Sequence, residues 1–149
     1  IVVKVPPGDN LMVHKALDMA EPGMVLVVDA GGDLTNAIIG ERMVAVAAAR
    51  GLAGIVINGA IRDAEALRDH PLPVFAAGVT HRGPYKNGPG EINYPIAIDG
   101  MVIESGDSTE ERRTMNLYSA VCQCRRHKKW REATRHLALS GTARAQPKR

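Results

Sequence analysis

The sequence predicts an α/β fold with a parallel βαβαβ core and an antiparallel hairpin after it. Three observations carry this. The runs "MVLVVDA" (24–30), "GIVIN" (54–58) and "LPVFAAG" (72–78) are continuously apolar, as strands covered on both faces are. Helical stretches separate them, which lets consecutive strands lie parallel. Further on, "INYPIAIDGMVIESGD" (92–107) places Asp99-Gly100, a hairpin-turn pair, between two β-branched runs.

The elements follow in order. "IVVKV" (1–5) is β-branched, and Pro6-Pro7-Gly8 stops it. Asp9 or Asn10 caps a short helix over "LMVHKALDMA", which ends at Glu21-Pro22-Gly23. After the 24–30 strand, Gly31-Gly32 breaks the chain. A helix is expected from about Thr35 to Arg50, because Ile38, Ile39, Met43, Val46 and Ala47 recur at helical spacing and Gly51 is a C-terminal stop. Gly40 inside that pattern costs roughly 1 kcal/mol against Ala, a hint that the regular helix begins near it. A short helix at 62–69 follows the 54–58 strand, and the Gly- and Pro-rich "HRGPYKNGPGE" (81–91) reads as a loop.

The 149 residues suffice for one domain with its own core, and with only 3% aromatic residues that core must be aliphatic. No apolar run approaches the roughly 20 residues that cross a bilayer. The chain opens on Ile1 without an initiator Met or a signal peptide, and the expectation is that its natural beginning is missing. The net charge of +3 is uneven: residues 1–107 hold 8 Lys and Arg against 13 Asp and Glu, while 108–149 hold 11 against 3. Both cysteines lie in that second part, and a cysteine-free body fits a reducing cytoplasm. We therefore divide the chain into a domain, 1–107, and a basic tail, 108–149, in which a helix around 125–139 would carry Trp130, Ala133 and Leu137 on one face.

Ligands of parallel α/β sheets bind beyond the carboxyl ends of the strands. Three features converge there: Asp29 with Gly31-Gly32, the "NAIIGERM" stretch with helix-start amides able to hold a carboxylate, and Arg62-Asp63 after the second core strand. Each has a plainer reading. Arg62-Asp63 reads equally as a solvated surface pair, Asp63 as the cap of the 62–69 helix, and Gly31-Gly32 as a simple turn. His14 reads as packed or exposed, His81 as a loop residue within reach of a site, and Cys122-Gln-Cys124 with His127 as a group lacking a further ligand at metal-binding spacing. No nucleotide fingerprint or nucleophile elbow is present.

The stretch "PGMVLVVDAGGDLTNAIIGERMVAVAAARGLAGIVINGAIRDAEAL" (22–67) resembles the RraA-like family, which includes the regulator of ribonuclease E activity A and the 4-hydroxy-4-methyl-2-oxoglutarate aldolases. The likeness runs from "PPGDN" (6–10) through "PVFAAGVTHRG" to "INYPIAIDGMVIESGD", about residues 1–107. Its most specific element is an acidic residue, twenty intervening residues, then Arg-Asp: here Glu41, then Arg62-Asp63. Aldolase members usually carry Asp at the first place, so Glu41 is a mild departure. The resemblance implies a three-layer β/β/α swivelling-type domain. It implies that the backbone of Gly40, Glu41, Arg42 and Met43 receives the pyruvyl carboxylate and that Arg62 binds the pyruvyl oxygens. It implies that Asp63 holds a divalent metal, Mg²⁺ or Mn²⁺, largely through its hydration shell. The implied activity is cleavage of 4-hydroxy-4-methyl-2-oxoglutarate or a related 2-oxo acid, with oxaloacetate decarboxylation as a companion through the same enolate. The implied assembly is a homotrimer or dimer of trimers with sites near subunit boundaries.

Past Glu104-Ser105-Gly106-Asp107 the family pattern stops. "STEERRTMNLYSAVCQCRRHKKW" has the composition of a frame-shifted or fused segment, expected to pack poorly and to give no site residue. The competing function is a non-catalytic regulator that binds and inhibits ribonuclease E or its partners. Binding of RNA by the basic tail ranks below both.

Overall fold

The computed structural model describes residues 1–107. The expectations for 108–149, including the basic helix and the Cys122, Cys124 and His127 group, lie outside the described residues.

The strands are β1 (Val2–Lys4), β2 (Val25–Asp29), β3 (Ala37–Ile39), β4 (Gly54–Ile61), β5 (Val74–Val79), β6 (Glu91–Ile92), β7 (Ile96–Ile98) and β8 (Met101–Ile103). The helices are α1 (Leu11–Met19), α2 (Glu41–Ala49) and α3 (Ala64–Arg68). Parallel pairing joins β1 to β2, β2 to β4 and β4 to β5, the expected core. β6 closes the other edge of β1 antiparallel.

The layers follow from the strand pleat. Leu26, Val28, Ile55 and Ile57 pack with Val13, Leu17, Val44 and Ala47 of the helices. Val27 and Val56, pointing the other way, pack with Ile96, Ile98 and Ile103 of β7 and β8. A sheet thus lies between a helical layer and a two-stranded hairpin, the three-layer arrangement the resemblance implies. Burying each Val, Leu or Ile side chain among these contributes about 1.5–3 kcal/mol. The hairpin turns at Asp99 and Gly100, both in the left-handed region as a primed turn requires.

Two expectations are corrected. Residues 37–39 are a strand, not the start of a helix. Ala37, Ile38 and Ile39 are fully buried and pair with Ala60 and Ile61, and a short apolar run buried on all sides has no periodicity to betray its type. The strand read as 54–58 continues to Ile61. Asn58-Gly59 is not its end but a bulge, where β4 has one more residue than β5 between Ile57 and Ala60. Glycine avoids crowding there, since a Cβ on Gly59 would lie 3.0 Å from Ala30 Cβ. The extension places Arg62 and Asp63 immediately beyond the sheet, beside the end of β3.

The stops behave as expected. At the end of α2, Gly51 lies at φ +78°, its amide bonds Ala48 O, and Leu52 bonds Ala47 O, a Schellman closure. At the start of α1 it is Asp9, not Asn10, whose side chain accepts the Leu11 amide, at 2.9 Å.

Candidate active site

β3 and β4 end side by side, and the chain leaves each in a tight turn. The Arg62 amide bonds Ile39 O at 3.0 Å and so ties the two exits together. From β3 the chain passes through Gly40 into α2; from β4 it passes through Arg62 and Asp63 into α3. Asp63 adopts a left-handed conformation, φ 58°, which Asp tolerates better than most residues. This turns its carboxylate away from its own helix. It makes no cap bond to α3; instead Oδ2 accepts the Glu41 amide at 3.1 Å and caps α2. A carboxylate at the positive end of that helix is favourably placed.

Gly40 is there for space. Its φ of −144° and ψ of −172° suit any residue. A Cβ would collide with Asp63 Oδ2 and come within 2.7 Å of Arg62 Cγ and 2.8 Å of Arg62 Nε. The Gly40 backbone, Arg62 and Asp63 are therefore in contact, which joins two of the three features expected at this sheet edge. Arg62 Nε stands 3.6 Å from Asp63 Oδ2, an ion pair rather than a hydrogen bond, with both side chains about two-fifths exposed. Such a pair contributes little to stability.

Arg62 continues into a groove of about 410 Å³ whose lining includes Asn10, His14, Arg42, Met43 and Lys86. Asp18 at its far side is taken by Arg50 at 2.8 Å. The remaining charges there are cationic, a suitable setting for an anion. His14 is held below its ordinary pKa, first by burial and then by Lys86, with Asp18 opposing. Loop 82–90 forms the near wall. It is fastened by Asn36 Nδ2 to Gly83 O at 2.6 Å and by the buried Asp9, whose Oδ2 accepts the Asn87 and Gly88 amides at 2.6 and 3.0 Å.

The structure thus brings together Gly40, Glu41, Arg42, Met43, Arg62 and Asp63. It also shows that the Glu41 and Met43 amides are already engaged, with Asp63 and with Gly40 O. Among the described residues, the amides of Gly40 and Arg42 donate no backbone bond in this turn. The third sequence feature separates from the site: Asp29 accepts Gly31 N and Asn58 Nδ2, and Gly31-Gly32 is a left-handed turn. His81 is exposed and does not line the groove. Sequence reasoning missed Asn10 and Lys86 and set His14 aside. The signals were "PPGDN" and the density of turn residues in 81–91, both read only as structure.

Among the described residues no three His, Cys, Asp or Glu side chains are grouped as metal ligands. A cage built wholly of protein is thereby absent from them. A single half-exposed carboxylate whose two contacts both fall on Oδ2 still fits Mg²⁺ or Mn²⁺, hard cations that keep several waters and use one or two carboxylates.

A family model described as RraA-like, Aldolase/RraA, matches residues 1–109. A Halalkalibacterium halodurans protein provisionally named a 4-hydroxy-4-methyl-2-oxoglutarate aldolase is 46% identical over 105 residues, 70% of this chain and 50% of that protein. A 4-hydroxy-4-methyl-2-oxoglutarate aldolase of Thermus thermophilus is 38% identical over 98 residues, 66% of this chain and 60% of the relative. The chain therefore spans half to three-fifths of these relatives. Among solved structures, the RNA-processing inhibitor RraA from a Thermus species superposes with a TM-score of 0.64 at 36% identity, covering 70% of this chain and 65% of that one. No helix of the described residues is long and apolar enough to cross a membrane.

Proposed function

The chain belongs to the RraA-like family of aldolases and RraA proteins, and from that premise we propose that it is a divalent-metal-dependent lyase releasing pyruvate from 4-hydroxy-4-methyl-2-oxoglutarate or a related 2-oxo acid. The observation that carries the reading is the contact between the Gly40 turn, Arg62 and Asp63, on which the family's acid-then-Arg-Asp pattern falls.

The chemistry asks for this arrangement. Retro-aldol cleavage breaks the bond between C3 and C4, passes the 4-hydroxyl proton to solvent and leaves C4 as the carbonyl of the second product. The electron pair is left as the enolate of pyruvate, which takes a proton from solvent at C3 to become pyruvate. The Gly40 and Arg42 amides at the start of α2 receive the C1 carboxylate, aided by the helix dipole. Arg62, always charged and planar, donates to the 2-oxo oxygen as negative charge gathers there. Asp63 would hold the hydrated Mg²⁺ or Mn²⁺, which when bound adds positive charge beside that oxygen. Lys86 and Arg42 offer donors to the second carboxylate. Oxaloacetate decarboxylation and assembly into trimers belong to the same proposal.

The test is pyruvate release from 4-hydroxy-4-methyl-2-oxoglutarate, coupled to lactate dehydrogenase, with Mg²⁺ and with EDTA. Metal-dependent release is expected; none under either condition overturns the reading. The second reading, a non-catalytic inhibitor of ribonuclease E or its partners, is favoured by the likeness to the RNA-processing inhibitor. It predicts inhibition of RNA cleavage without pyruvate release.

A further inference from the structure

Asn10 sits where α1 begins, only 2% exposed. Its backbone amide bonds Tyr85 O at 3.0 Å. Its side-chain Nδ2 donates to Ile38 O at 2.9 Å and lies 3.4 Å from Met43 Sδ. The bond to Ile38 O fixes the amide's orientation, because the flipped form would set two oxygens against each other. That leaves Oδ1 as a defined acceptor, buried and without a partner. It is the one such side-chain atom among the described residues. Buried polar atoms are rarely left so, and each calls for an explanation.

The surroundings supply one. Asn10 lines both the large groove and a smaller cavity of about 30 Å³ that runs under Gly40 between Arg42, Met43 and Arg62. Arg42, Arg62 and Lys86 can only donate hydrogen bonds. The groove's acid, Asp18, is occupied by Arg50. A ligand that satisfies this set is an anion with several acceptor oxygens and one donor, and on a 2-oxo diacid the donor at hand is a hydroxyl. A simple oxo diacid meets the first demand and fails the second. Met43, unbranched and in contact with the amide, is the side chain best able to yield as such a donor enters.

We propose that Asn10 is a specificity residue whose Oδ1 accepts a hydrogen bond from the hydroxyl of a hydroxylated 2-oxo diacid. It thereby separates such ligands from the otherwise identical acids that lack the hydroxyl. This rests on the functional reading above. Asn10 binds and orients the hydroxyl and takes no proton, since an amide is no base at neutral pH. A site holding an unmet acceptor rejects the ligand that cannot fill it.

The test is calorimetric titration of the full chain with 4-hydroxy-2-oxoglutarate and with 2-oxoglutarate, in EDTA so that metal-dependent turnover consumes neither. Wild type should prefer the hydroxylated acid roughly tenfold, about the worth of one neutral hydrogen bond. Asn10→Leu should bring the ratio near one. A preference surviving in the folded variant, or no preference in wild type, overturns the inference, as does binding of neither acid. Should the variant not fold, the Asn10 side-chain amide resonances of the wild type decide. They should shift with the hydroxylated acid and not with 2-oxoglutarate; equal shifts overturn the inference. Preference without pyruvate release under Mg²⁺ would sink the aldolase reading alone. Pyruvate release without preference would sink this one alone.

Discussion

The Asp63 carboxylate accepts the Glu41 amide at 3.1 Å across 22 positions of sequence, so the residue that ends one strand caps the helix that follows another. This single bond makes two loops one structure. It also replaces the reading of Asp63 as the cap of its own helix, because the side chain caps α2 instead and so has a structural duty as well as the proposed chemical one.

Asp63→Ala should accordingly cost about 1 kcal/mol of stability, the usual worth of a cap, rather than nothing. Metal-dependent pyruvate release should fall at least about a hundredfold, as it does when one charge-stabilising group is removed from an active site. Urea denaturation and initial rates check the two parts separately. Wild-type turnover in the variant would move the assignment to the regulatory reading.

Gly40→Ala isolates the geometry from the charge. The backbone at Gly40 is extended and accepts alanine, so the fold should survive. The new Cβ meets Arg62 and Asp63 and pushes them from place. A displacement of about 1 Å can cost on the order of 10²-fold in rate, and a loss of that size is expected with circular dichroism unchanged.

Asp9 fastens the loop that walls the groove. Asp9→Ala leaves the Leu11, Asn87 and Gly88 amides without their acceptor. A loss of about 2 kcal/mol is expected, from one helix cap and two bonds of a buried carboxylate to partly exposed amides that water can reach in the variant. Amide exchange at Asn87 and Gly88 should speed up more than exchange in β2.

His14 gives the groove a pH dependence. Burial and Lys86 hold its pKa below the ordinary value, against Asp18. The unfolded chain therefore binds the proton first, and the free protein should lose stability as pH falls below about 6.5. A dicarboxylate in the groove has the opposite effect. It adds negative charge near His14, while Arg42, Arg62 and Lys86 keep theirs, so binding takes up a proton and tightens as pH falls. His14→Gln should flatten both curves when unfolding and binding are measured between about pH 5.5 and 7.5.

Much of this was legible in the residues. The strands of 24–30, 54–58 and 72–78 announced themselves by unbroken aliphatic runs, and Gly51 and Asp99-Gly100 by backbone conformations that few residues adopt. β3 was not legible, since three buried apolar residues fit either period; Gly40 alone marked its end. The meeting of Gly40 with Arg62 and Asp63 could be inferred from strands leaving one edge. The cross-cap could not, because it depends on the left-handed turn at Asp63. Asp9 and Asn10 were both read as candidate caps because their residue types favour that duty, and only coordinates reveal that Asp9 performs it and that Asn10 Oδ1 is unpaired.

The central claim is that the Gly40 turn, Arg62 and Asp63 form one metal-assisted site for a 2-oxo acid. Oxalate, a planar dianion resembling the enolate of pyruvate, tests it most directly by calorimetric titration. The account predicts one-site binding in Mg²⁺ that weakens at least about tenfold in EDTA, in Asp63→Ala and in Gly40→Ala, the loss of about one charge-assisted contact. Oxalate bound equally with and without Mg²⁺, or equally by wild type and Asp63→Ala, would contradict it.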